Sequence, residues 1–308
     1  MHILALGLNH QTAPVAVREG LALEGGRLAG ALAAARAETR EAVVLATCNR
    51  TEIYAVTAHV ESGFRALRRL LVAQHAGGPT LEPAALEPFL YEWTDAGAVR
   101  HLLRVAAGLD SLIVGEPQIL GQVRDAYGSA LAAGTTGPVL AQLLRTALSA
   151  GKEARTATEI ARGAASIAHA AVELARTEIG GLRDRAVLVI GAGKMAALAA
   201  GALAGHGARL TIANRTADRA EALAAQLGGR ATAFERLGEA LVDCDVVIAS
   251  TGAPEPVITP ALLEPVLPLR EGRPLLFLDI AVPRDVDPAV DYLPGVALRN
   301  IDHLQGTV

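Results

Sequence analysis

Residues 186–196 most narrow what this chain can fold into. The apolar run Ala186-Val187-Leu188-Val189-Ile190 leads straight into Gly191-Ala192-Gly193-Lys194-Met195-Ala196, and an alanine-rich stretch follows. A G-x-G-x-x-A loop between a strand and a helix brings backbone close to a pyrophosphate: the glycines permit the tight turn, and the first helical N–H groups face the phosphates. Outside such a context the same glycines would mean only a tight turn. Apolar runs at 209–213, 246–250 and 275–279 alternate with helix-like segments, which predicts a parallel sheet with crossover helices, a Rossmann-type α/β domain. At the end of the run 209–213 a site for NAD usually places Asp or Glu on the ribose hydroxyl. Here the chain has Asn214-Arg215-Thr216, two neutral polar groups around a guanidinium that can fork onto an extra phosphate. The expected cofactor is NADPH, held by Gly191, Ala192, Gly193, Lys194, Met195 and Ala196 and by Asn214, Arg215 and Thr216. The alternative for Arg215 is a solvated surface arginine.

The first 93 residues carry a different pattern. Strand-like runs at 2–8, 42–47, 51–57 and near Phe89-Leu90-Tyr91 alternate with helix-like segments after Gly26 and at 62–76. The order βαββαβ is the ferredoxin-like arrangement of two interleaved units on one sheet. From Asp95 to about Gly180 the pattern is almost wholly helical, broken at Gly115-Glu116-Pro117 and from Gly134 to Pro138. These helices are expected to brace the first domain. A length of 308 residues suits two domains, here 1–156 and 157–308.

Composition excludes more than it assigns. The hydrophobic content is 51%, but it is interrupted everywhere by charges and breakers, and no run approaches the roughly 18 apolar residues of a spanning helix. Met1-His2-Ile3-Leu4 opens directly into a strand-like run, so no secretory signal is expected. Two cysteines cannot make a disulfide framework, so the cytoplasm is the expected compartment. With 28 basic and 32 acidic groups the net charge is −4, so any contact with nucleic acid must be local.

Cys48 lies in ATCNRTEIY (46–54), at a strand end beside Thr47, Asn49 and Arg50. A free cysteine is commonly a small buried hydrophobe, yet a neighbouring guanidinium at a strand terminus favours the reactive thiolate. Cys244 enters an apolar run and reads as structural. In AGAVRHLLRVAAGL, Val99, Leu102, Leu103, Ala106 and Leu109 share one helical face. His101 is then expected on the opposite, polar side with Arg100 and Arg104. Glu116-Pro117 reads as a helix entry, with proline in the first turn. Lys152, Arg155 and Arg162 fall near one helical face, where they could meet phosphates or simply face solvent. No His/Cys cluster has metal-ligand spacing, and no metal is expected.

Taken in order, GLNHQTAPVAVRE (7–19), ATCNRTEIY (46–54), HLLRVAAGLDSLIVGEPQILGQV (101–123), GKEARTATEI (151–160), VIGAGKM (189–195), ANRT (213–216), DIAVPRDVDP (279–288) and NIDHL (300–304) resemble glutamyl-tRNA reductase. The resemblance implies a catalytic, tRNA-binding first domain and an NADPH domain after a linker helix. It implies that Cys48 attacks the ester of glutamyl-tRNA, that the resulting thioester is reduced to glutamate-1-semialdehyde, and that this opens the five-carbon route to tetrapyrroles. Covalent capture splits one hard reduction into two easier steps. The resemblance further implies that Thr47, Cys48, Asn49, Arg50, Ser111, Glu116, Pro117, Gln118 and Gln122 line the glutamyl pocket, and that His101 matters for activity. Arg50, a cation and pure donor, is assigned the substrate carboxylate. The glycine loop closes on Ala196 where the family commonly has glycine. The family continues beyond the NIDHL-like stretch into a spinal helix and dimerisation domain, whereas this sequence stops at Val308. Its homodimer is therefore not assumed here, and a truncated chain, another association surface and a monomer stay open. The downstream glutamate-1-semialdehyde aminotransferase is a family partner. Two other readings remain: a shikimate-dehydrogenase-like NADP oxidoreductase, which needs no thioester, and a regulatory module that binds NADP or tRNA without catalysis.

Overall fold

The computed structural model describes residues 1–23, 25–74, 83–160 and 167–304. The chain divides into two compact units, residues 1–164 and 165–308. The first runs β1 (His2–Asn9), α1 (Val15–Arg18), α2 (Gly25–Glu38), β2 (Glu41–Ala46), β3 (Arg50–Thr57), α3 (Val60–Gln74), α4 (Pro83–Leu86), β4 (Tyr91–Thr94), α5 (Ala96–Ala107), α6 (Gln118–Ala132) and α7 (Pro138–Ala157). Its four strands lie in the order β2-β3-β1-β4, every neighbour antiparallel. This is the expected ferredoxin-like sheet. The fourth strand lies later than expected, at Tyr91–Thr94, because Glu87-Pro88-Phe89 forms a 3₁₀ turn: proline has no N–H to give a ladder. The expected helix 62–76 is seen as 60–74, and its last two residues lie outside the described residues.

Strand period 2 gives this sheet two unlike faces. Leu4, Leu6, Ile53 and Ala55 share one face, and Gly63 of α3 sits so close over it that an added Cβ would meet the Leu4 side chain at 2.6 Å. On the other face the register sets Asn9 opposite Arg50, Gly7 opposite Glu52, and Tyr91 opposite Gly7. That face is polar and aromatic, and α5 covers it. Glu41 ties α7 to β2 by accepting hydrogen bonds from the N–H groups of Val139 (3.1 Å) and Leu140 (2.7 Å), a carboxylate at the positive end of a helix.

The second unit runs α8 (Ile167–Glu178), β5 (Ala186–Ile190), α9 (Lys194–Gly205), β6 (Arg209–Asn214), α10 (Ala217–Leu227), β7 (Arg230–Ala233), α11 (Leu237–Asp243), β8 (Val246–Ala249), α12 (Pro260–Leu263), β9 (Leu275–Asp279) and β10 (Val296–Asn300). Six parallel strands lie in the order β10-β9-β8-β5-β6-β7. This is the Rossmann order, which reverses between β5 and β8. The four strands expected from apolar runs are all present. The edge strands β7 (RATA) and β10 (VALRN) escape sequence reading because each is laddered on one side only and neither is a continuous apolar run. No helix among the described residues is long and apolar enough to cross a membrane.

Candidate functional site

In the first unit the β2–β3 hairpin closes on residues 47–49, and Cys48 sits at its tip. Thr47 shapes the turn: its Oγ1 accepts from the N–H of Asn49 (3.1 Å) and of Arg50 (3.2 Å). Arg18, buried and absent from the sequence-based assignment, grips the turn from outside. Its guanidinium donates to the Cys48 carbonyl (2.6 Å) and to Asn49 Oδ1 (3.2 Å). Cys48 is half-buried, so the residue keeps a path to solvent.

Protein atoms nevertheless crowd the thiol. Burial pushes Cys48 up to about 12; Glu116 adds to the rise, while Arg18 and Arg50 pull the other way. The expectation that a nearby guanidinium leaves a thiolate is therefore corrected for this resting structure. Desolvation and a facing carboxylate outweigh two cations. Glu116 is itself buried, and that burial lifts its carboxyl above the usual range against the pull of Arg50.

The centre of the polar face is Glu52, fully buried and also missed in the sequence. Its Oε1 accepts from Arg50 Nη1 (2.6 Å), Tyr91 Oη (2.5 Å) and His101 Nε2 (2.9 Å), and its Oε2 from Tyr54 Oη (2.6 Å). Burial alone would push this carboxyl up; the Arg50 charge, the His101 hydrogen bond and the Tyr54 hydroxyl together hold it well below the ordinary carboxylate range. Gly7 makes room for it, since a Cβ there would lie 2.8 Å from Glu52 Cγ. Burial and the adjacent Glu52 charge raise both tyrosines far above their usual range, which keeps them as O–H donors.

One sequence expectation is corrected by this network. His101 does not project from a polar outer face: it is buried, bonded to Glu52, 3.8 Å from Asp110 Oδ2 through Nδ1, and edge-on to Tyr91 at a 5.2 Å centroid distance. Helical periodicity sorted it as polar, and the sheet face beneath α5 is itself polar. Arg50, the residue assigned to the substrate carboxylate, already has a carboxylate partner within the fold. It is 2% exposed, pairs with Glu52 and donates to the Asp110 carbonyl.

The remaining residues gather around the same loop. Ser111, next to Asp110, is buried, and its hydroxyl finds no partner among the described residues. Pro117 is the N-cap of α6, one position before the expected first turn, and Gln118 and Gln122 follow on that helix. Arg155 holds the loop in place by donating to the carbonyls of Glu116 (2.8 Å), Ala106 (3.2 Å) and Gly151 (3.3 Å). It is thus a structural clamp and not one of a row of phosphate-facing cations; Lys152 is exposed, and Arg162 lies outside the described residues.

In the second unit the loop after β5 lies at the switch point of the sheet. Gly191 has φ +111°, and a Cβ there would lie 2.2 Å from the Ser250 carbonyl oxygen, so only glycine fits. Gly193, the N-cap of α9, has open space where a Cβ would go. Ala192, Gly193 and Lys194 are accessible above the helix start, and Ala196 packs inward. These groups fit a pyrophosphate. At the end of β6, the Asn214 amide donates to the Thr216 carbonyl (3.0 Å), and the Arg215 guanidinium lies 5.9 Å over the Phe234 ring. No carboxylate stands at 214–216, in keeping with a 2′-phosphate and not a free hydroxyl. Cys244, by contrast with Cys48, is a core residue whose Sγ faces the Leu241 carbonyl, as the sequence suggested. Among the described residues no His/Cys/Asp/Glu group could hold a metal.

A ferredoxin-like unit presenting a thiol on a hairpin tip, and a Rossmann unit presenting a dinucleotide loop, define a two-module oxidoreductase. Residues 6–158 match the family described as "Glutamyl-tRNAGlu reductase, N-terminal domain", and residues 173–307 match "Shikimate / quinate 5-dehydrogenase". The chain belongs to the glutamyl-tRNA reductase family: over its whole length it is 44% identical to the glutamyl-tRNA reductases of Pelobacter propionicus and Geobacter sulfurreducens, spanning 70% and 71% of theirs. The solved glutamyl-tRNA reductase of Methanopyrus kandleri matches 98% of this chain and 72% of its own, at 38% identity and a TM-score of 0.50.

Proposed function

We propose that this chain reduces glutamyl-tRNA to glutamate-1-semialdehyde through a thioester on Cys48, the entry step of tetrapyrrole synthesis. The observation that carries the reading is the half-buried thiol on a hairpin tip clamped by Arg18, in the same network of residues as Glu116, Arg50 and, through Glu52, His101. Sγ attacks the ester carbonyl; the new C–S bond replaces the C–O bond, and the proton leaves with the terminal ribose hydroxyl of the tRNA. NADPH, when bound, would supply the hydride; with that hydride and one proton from solvent the thioester becomes a thiohemiacetal on Sγ, whose collapse frees the aldehyde and returns the thiol.

The raised thiol sets a requirement for the first step. A nucleophile that is protonated near neutral pH must be ionised on demand. We assign Glu116 the α-ammonium of the glutamyl group, because that pairing cancels the negative charge that raises Cys48. Arg50, already balanced by Glu52, serves the substrate carboxylate as a hydrogen-bond donor more than as a net charge. Ser111, with its hydroxyl unmatched, supplies a further polar contact. Thr47, Asn49, Pro117, Gln118 and Gln122 complete the pocket wall. Gly191, Gly193 and the start of α9 hold the pyrophosphate, and Asn214, Arg215 and Thr216 take the 2′-phosphate.

The test is mass spectrometry of protein mixed with glutamyl-tRNA in the absence of NADPH. A glutamyl adduct on the Cys48 peptide is expected, and Cys48→Ser should lose both the adduct and semialdehyde formation while still binding NADPH. Full activity in Cys48→Ser would remove the thioester step.

A further inference from the structure

Beside the Cys48 hairpin the first unit has a cavity of about 480 Å³ that Cys48 itself does not line. Its walls include Trp93, Tyr91, His101, Arg100 and Asn9. The volume lies in the range of roughly 300–1,000 Å³ typical of small-molecule pockets. Two links join it to the reaction centre: His101 shares Glu52 with Arg50, and Asp110, also in the cavity wall, accepts from Arg50 through its carbonyl.

Trp93 is an unusual residue to leave in the open. It is 45% exposed on the rim of this cavity, on the same sheet face as Tyr91, with its ring near-parallel to His101 at 24° and 6.1 Å between centroids. An exposed indole backed by aromatic rings is a stacking platform for a nucleobase. Arg104 is neutralised by Asp110 (2.7 Å). Arg100 is exposed and lines the cavity, with no carboxylate partner among the described residues, which leaves a cation at the rim for a backbone phosphate.

We propose that this cavity binds the 3′-terminal adenosine of the tRNA, its base stacked on Trp93 and its 5′-phosphate facing Arg100. The inference rests on the reading that Cys48 attacks an ester on the terminal ribose. That ester places the leaving nucleoside within one residue of the hairpin tip, and the Trp93 cavity is the aromatic, cation-rimmed space adjoining it. The protein therefore grips the leaving group separately from the glutamyl group, and selects an RNA end over a free ester.

Trp93 is the sole tryptophan of the chain, so its fluorescence reports occupancy directly. Titration of the intact protein with the trinucleotide CCA should quench it, and the same trinucleotide ending in an abasic ribose should not. Trp93→Ala should raise KM for glutamyl-tRNA about tenfold, while Trp93→Phe, which keeps a stacking face, stays near the parent value. Absence of quenching by CCA at concentrations that inhibit the reaction, or an unchanged KM in folded Trp93→Ala, would overturn the proposal. Failure to acylate Cys48 in the unmodified protein would instead strike the thioester reading, and the CCA quenching would still report on the cavity by itself.

Discussion

In the Rossmann unit the candidate site is made of backbone: a glycine that must adopt φ +111° against the Ser250 carbonyl, an open glycine N-cap, and a helix start. In the ferredoxin-like unit it is made of side chains drawn from β3, β4, α1, α5 and the loop before α6, knotted around one buried carboxylate. The two cysteines repeat the contrast. Burial pushes both up to about 12, but Cys244 is opposed chiefly by Arg270 within a core, whereas Cys48 is held between Glu116 on one side and Arg18 and Arg50 on the other. A backbone site tolerates change in its surroundings and fails at single positions. A side-chain network is coupled throughout, and the same charges that stabilise it also set the reactivity of the thiol.

The sharpest way to break that contrast is Glu52→Gln. It leaves Arg50 buried without its counter-charge, so the first unit should lose about 3–5 kcal/mol while NADPH binding by the second unit is spared; urea unfolding alongside NADPH titration checks both. The pH dependence follows from the sign of the shift. Glu52 is held below its ordinary value of 4.5, so between those two values the unfolded chain binds a proton that the folded chain does not. Its contribution is complete above 4.5 and drains away as pH falls toward the depressed value. Acid titration of the Glu52→Gln protein should lack that part of the slope.

On the nucleotide side, Arg215→Ala should weaken NADPH by about 1.5–3 kcal/mol, the usual worth of hydrogen bonds to a charged group, and leave NADH nearly unchanged. Equal loss for both would assign Arg215 to the surface. Gly191→Ala places a non-glycine residue at positive φ against a carbonyl, at a cost of about 1–3 kcal/mol or more, and should appear as lost dinucleotide affinity without any change in Cys48 alkylation. The smallest effect is expected for Glu116→Gln. Removing the carboxylate that raises the thiol should speed iodoacetamide alkylation of Cys48 at pH 8 severalfold, and an unchanged rate would detach Glu116 from the thiol.

Much of the molecule was legible from residue order because the relevant interactions are local. The β5 loop, the Asn214-Arg215-Thr216 strand end and the alternation of strands with helices are written in consecutive residues, and both folds followed from them. The hairpin carrying Cys48 was legible for the same reason. Edge strands β7 and β10 were not, because an edge needs no apolar run. His101 was assigned to the wrong face, since periodicity separates polar from apolar residues but cannot see that a helix lies on a polar sheet face.

The sequence by itself thus determined the two folds, the dinucleotide loop and the position of the thiol, all matters of backbone periodicity and turn chemistry over short spans. Only the tertiary structure decided the charge state around them. Glu52 became the shared acceptor of Arg50, Tyr54, Tyr91 and His101, Arg18 the clamp on Cys48, and Arg155 the clamp on the Glu116 loop. Those roles depend on which side chains, up to 49 residues apart along the chain, are buried together at low dielectric, and that depends on the register of the strands.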